Sequence, residues 1–91
     1  MKEFKSQIIE AIIAKAEGER IVSLYEVGTA LGHKHIKAQD VRDIMNAVLK
    51  QIPEYKAVKM VKPGQSEATA SLWTTLHFVD KELEFEEWEE S

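Results

Sequence analysis

Ninety-one residues without a cysteine make one small domain, and they exclude both a disulfide framework and a thiolate metal site. No apolar run approaches the roughly 18–20 residues that cross a bilayer, and the stretch behind the basic start Met1-Lys2-Glu3-Phe4-Lys5 is broken by Glu10 and Lys15, unlike a signal peptide. The formal charge of −4 hides a segregation: residues 80–91 hold seven acids against Lys81, whereas residues 33–62 hold seven bases against Asp40, Asp43 and Glu54.

A basic middle points to a polyanionic partner, and an acidic end to something different. The ordinary globular composition and the lack of cysteine fit a cytoplasmic setting, with no membrane partner expected.

In chain order, Phe4, Ile8, Ile9, Ile12, Ile13 and Ala16 recur at helical spacing and predict a helix over 3–17, closed by Gly18. A strand is a poor alternative, because period two would scatter these side chains over both faces. Arg20-Ile21-Val22 predicts a strand of two or three residues. Ser23-Leu24-Tyr25-Glu26 reads as a capping box in which the Ser23 hydroxyl accepts from the third helical amide while the Glu26 side chain reaches back. The second helix then covers 24–31, with Leu24, Val27 and Leu31 inward and Gly32 ending it.

After a connector over 33–36, Val41, Ile44, Met45, Val48, Leu49 and Ile52 predict a third helix from Lys37 or Ala38 to Gln51. Pro53 stops it by lacking an amide donor and by biasing Ile52 out of helical geometry. Two strands, 54–62 and 68–79, flank a polar loop whose Pro63-Gly64 pair suits the centre of a type II turn. In the second strand Ala70, Leu72, Leu76 and Phe78 alternate with Thr69, Ser71, Thr75 and His77. That pattern sends Trp73 to the opposite face from Leu72 and Leu76. The expected organisation is an α+β domain over 1–79 followed by an acidic, aromatic tail over 80–91.

The order helix, short strand, helix, helix, strand, loop, strand resembles the winged helix-turn-helix superfamily over nearly all of residues 3–79. The resemblance is carried by the capped helix from Ser23 to Gly32, the helix over 37–51 and the hairpin over 54–79. The connector from Gly32 to Lys37 is a residue or two longer than is usual between those helices. The resemblance implies a third helix in the DNA major groove and a hairpin wing on the adjacent backbone.

The residues of the third helix permit an independent reading. At about 100° per residue, Gln39, Arg42 and Asn46 share a stripe away from the apolar set, and His35 joins it if the helix extends that far. Arg, Asn and Gln carry the paired donors and acceptors that match guanine and adenine edges. Lys34 and Lys37 stand at the helix entrance, where amides and cations can both hold a phosphate. The plain alternative is a solvated helix face, and Asp43 beside the stripe would repel phosphate. In the hairpin, Lys59 and Lys62 lean toward phosphate contact near the tip, whereas Lys56 serves as well to protect a strand edge.

His33 and His35 lack a third ligand at supporting spacing, and no phosphate loop, nucleophile motif or spaced carboxylate pair occurs. The expectation is therefore a non-enzymatic protein without metal or cofactor. The tail mixes its acids with Leu83, Phe85 and Trp88, which a purely solvating segment does not need. With Trp73 these form a candidate partner-binding set, for a protein or a second copy, although Trp73 serves equally to pack against the first helix. Alternatively the tail folds back on the basic helix as a competitor of DNA, or is a plain disordered acidic end. Two functions stay open: a small DNA-binding transcriptional regulator, expected to pair as a dimer, and a winged-helix module that binds protein instead of DNA.

Overall fold

A computed structural model of the protein describes residues 2–61, 64–66 and 72–82. Its first helix, α1 (Lys2–Ala16), follows from the isoleucine spacing: Ile8 and Ile12 are fully buried, and Phe4, Ile9 and Ala16 pack against the same core. Strand β1 (Ile21–Ser23) runs directly into α2 (Leu24–Ala30). Ser23 is the N-cap of α2, with extended backbone and its hydroxyl accepting from the Glu26 amide at 3.3 Å. At the other end Gly32 takes φ 89°, and the amides of Gly32 and His33 donate to the carbonyls of Thr29 and Gly28 at 2.9 and 2.8 Å. This pair of bonds is a Schellman closure, which needs a residue without a Cβ at its left-handed position. Because α2 stops one residue earlier than its apolar pattern predicts, Leu31 becomes the cap instead of an inward residue and is 41% exposed.

Helix α3 (Ala38–Gln51) buries Val41, Ile44 and Val48, and it ends at Ile52, ahead of Pro53. Strand β2 (Tyr55–Lys59) and strand β3 (Leu76–Asp80) complete an antiparallel sheet of order β1-β3-β2. Phe78 lies in the central strand between Val22 and Ala57 and is wholly buried. The three helices and the three-stranded sheet enclose one core, so the protein is α+β. No helix is long and apolar enough to cross a membrane among the described residues.

The hairpin differs from its alternating pattern. Leu72 has helical backbone, Trp73–Thr75 forms a single 3₁₀ turn, and the strand begins only at Leu76. A 3₁₀ turn brings positions i and i+3 to one side, so Trp73 and Leu76 enter the core together, each 4% exposed. A continuous strand would have turned the indole outward, and burying that much apolar surface outweighs the lost ladder bonds. Residues 68–71 of the expected strand, and Pro63, lie outside the described residues. Gly64 has φ 82°, the value that the second central position of a type II turn requires.

The sheet also carries past residue 79, where the tail is expected to start. The Asp80 amide donates to the Arg20 carbonyl at 3.0 Å, and its carboxylate stands 3.6 Å from Arg20 Nε. The boundary thus falls inside β3, and the first acid of the expected tail belongs to the domain.

A buried tyrosine ties these elements together. The Tyr55 hydroxyl lies 2.9 Å from the Ala16 carbonyl and 2.8 Å from the Glu19 carbonyl, sharing its proton between acceptors at the open end of α1. Burial first, and then the Asp80 and Glu54 carboxylates, push the phenol above its ordinary value, so it remains a donor. Tyr55→Phe is expected to cost about 1–2 kcal/mol in urea unfolding; an unchanged midpoint would remove this bond from the account.

His77, in β3 between Ser23 and Val58, has its imidazole pushed below the ordinary value by burial, with Glu26 opposing weakly. The neutral ring is favoured in the folded chain, so the unfolded chain takes up its proton first. Stability is therefore full above the ordinary value of 6.5 and declines as pH falls below it, levelling once the folded ring also protonates. Between about pH 7 and about pH 5.5, His77→Gln should lose less thermal stability than the parent chain. Equal losses in the two chains would assign the decline to other groups.

Candidate nucleic-acid interface

The amphipathic period of α3 determines what it presents. With Val41, Ile44 and Val48 inward, Gln39, Arg42 and Asn46 are exposed on the opposite side. Lys50, one turn beyond Asn46, continues the same stripe and is also exposed. Its i+4 spacing from Asn46 is visible in the sequence, yet base-reading chemistry alone does not select it. The half-buried Met45 and Leu49 border the stripe on one side.

On the other side stand Asp40 and Asp43, and here the fold supplies something that no local pattern contains. Lys5 reaches across from α1, with Nζ 3.1 Å from Asp43 and 3.5 Å from Asp40. Gln39 Nε2 donates to the second Asp43 oxygen at 3.1 Å. The bond from Lys5 first, then that from Gln39, holds the Asp43 carboxyl below its ordinary range, and the same bond keeps the Lys5 ammonium protonated to higher pH. The carboxylate expected to repel phosphate is therefore paired with an ammonium, while Gln39 keeps its amide oxygen for other partners.

At the entrance to α3, Lys34, His35 and Lys37 are all exposed. Lys37 is the N-cap and gives no side-chain bond to the first turn, so the opening amides of α3 carry no side-chain cap. His35 lies in the connector and not on the helix, so it joins Lys34 and Lys37 and not the stripe. His33 packs on Phe4 with ring centroids 5.1 Å apart, which fastens the connector to α1. Among the described residues no group of three or more His, Cys, Asp and Glu could hold a metal ion.

No protein-family model, curated protein or solved structure matches this chain.

The hairpin residues are less free than those of the helix. Lys59 closes β2, is half-buried and is already engaged within the chain, as is Lys56. Lys62 lies outside the described residues, as do Leu83, Phe85 and Trp88. Trp73, expected at a partner surface, is instead a core residue. Its ring meets Tyr25 at 5.3 Å and fills the niche left by the missing side chain of Gly28. That contact joins the 3₁₀ turn to α2, close to the His33 carbonyl at the start of the connector.

Proposed function

We propose that this chain is a winged-helix DNA-binding domain that lays α3 in the major groove, as a small transcriptional regulator acting as a dimer. The observation that carries the reading is the outward stripe of Gln39, Arg42, Asn46 and Lys50, unobstructed among the described residues and with its neighbouring acid paired to Lys5. Arg42 and Asn46 would read base edges, while Lys34, Lys37 and Lys50 would hold phosphates. The sheet order β1-β3-β2 supports the same reading, because it sets β2 and β3 as a hairpin beside the helix pair.

Salt dependence of binding to a random-sequence duplex is the test. With about three phosphates neutralised per subunit, each subunit should contribute a roughly fortyfold fall in affinity between about 50 and about 200 mM salt. A chain that fails to bind duplex at the lower salt would end this reading. Lys5→Met provides a second check: it leaves the stripe untouched but releases two carboxylates beside it, so duplex affinity should drop severalfold. An unchanged affinity would mean that Asp43 does not face the DNA.

The protein-docking alternative has its own observation. Tyr25 and Leu31 are 42% and 41% exposed at the two ends of α2. It predicts that Tyr25→Ser and Leu31→Ser abolish partner capture, whereas duplex binding in the α3 reading should withstand both.

A further inference from the structure

Lys5, Lys15 and Arg20 have carboxylate partners inside the fold, namely Asp40 and Asp43, Glu19, and Asp80 with Glu82. Arg42 and Lys50 on the outward face of α3, and Lys34 and Lys37 at its entrance, pair with no carboxylate among the described residues. Among the described residues, four cations without a carboxylate partner thus line the outward face of α3 and its entrance, with Lys81 standing apart from them.

The acidic segment starts beside the foot of that helix. The Lys81 amide donates to the Glu54 carbonyl at 3.0 Å, and Glu54 lies just beyond Gln51, the last residue of α3. Residues 83–91 then follow, with Glu84, Glu86, Glu87, Glu89 and Glu90 interleaved with Leu83, Phe85 and Trp88. Fully extended, this stretch reaches about 30 Å, whereas α3 is about 21 Å long. It can run the whole helix from its C-terminal end. A segment tethered this closely meets the face at an effective concentration on the order of millimolar.

From the position of the exit, the reach and the complementary charge, we infer that residues 83–91 dock along the outward face of α3 and compete there with DNA. The glutamates answer Lys50, Arg42, Lys37 and Lys34, and the half-buried Met45 and Leu49 provide apolar contact for Phe85 and Trp88. The competition rests on the DNA-binding reading above; the docking itself does not.

The absence of cysteine makes a single nitroxide label on Ser91→Cys of the full chain a clean probe. The label should broaden the amide signals of Gln39, Arg42, Asn46 and Lys50 more than those of Glu3, Gln7 and Glu10 on the far side of α1. Adding Phe85→Ser and Trp88→Ser to the labelled chain, with every acid kept, should erase that difference. Equal broadening of the two faces in the parent chain overturns the docking. A random-sequence duplex should restore the α3 signals. If the segment occupies the face nine-tenths of the time, the double serine variant should bind that duplex about tenfold tighter. Unchanged affinity with α3 still broadened overturns the competition. If neither chain binds duplex, the DNA-binding reading fails, while the docking is still decided by the label.

Discussion

Replacing Trp73 with alanine is expected to destabilise the protein by about 3–5 kcal/mol, a large part of what a domain of this size possesses. The indole is 4% exposed and stands between the 3₁₀ turn and α2, so its removal empties a space lined by several elements. The partner position makes the argument sharper. A Cβ built on Gly28 would lie 2.5 Å from Trp73 Cζ3, closer than packed carbons come, and 3.4 Å from the His33 carbonyl. Gly28→Ala must displace a ring wedged in the core and should cost about 1–3 kcal/mol, against the small gain that alanine brings to an unobstructed helix. Combining Gly28→Ala with Trp73→Leu should cost less than the two changes added, because the smaller side chain vacates the space the methyl enters. Urea unfolding of the four chains measures this coupling. A neutral Gly28→Ala, or strict additivity, would show that the indole does not occupy the niche.

Removing the α3 stripe is expected to act in the opposite sense, with a large effect on binding and little on folding. Arg42, Asn46 and Lys50 are exposed, and none packs into the core. Their joint replacement by alanine should therefore leave the unfolding midpoint nearly unchanged. If Arg42 pairs with a guanine edge, Arg42→Ala should cost about 1–3 kcal/mol of duplex affinity and relax preference at one base position. Lys50→Ala should instead weaken all sequences alike and reduce the salt slope by about one. Fluorescence anisotropy of a labelled duplex over a salt series separates the two behaviours. A slope that does not change in the triple variant would place the phosphate contacts elsewhere in the chain.

The candidate interface was legible in part because helical geometry is local. Once Val41, Ile44 and Val48 are turned inward, the 3.6-residue period leaves Gln39, Arg42 and Asn46 outside. The Ser23 cap and the Gly32 closure were legible for the same reason, since each is completed within a few residues. Lys5 was not: its bond to Asp43 spans 38 positions, and an exposed-looking lysine on a different helix carries no mark of its partner. Trp73 was not legible either. The alternation around it fits a strand, and only a glycine on another element, with room for an indole above it, makes the turn the better solution.

By itself the amino-acid sequence determined the three helices, the short strand ahead of the second, the left-handed Gly64 and the division into a basic middle and an acidic end. All of these follow from spacing, capping and charge within short windows, where backbone hydrogen bonding and side-chain period act locally. Tertiary structure alone decided that Asp80 joins the sheet and that Trp73 belongs to the core. It alone decided that Asp43 is paired. Each of these depends on which distant surface is available to cover an apolar group or to answer a charge, and that is set only when the elements have packed.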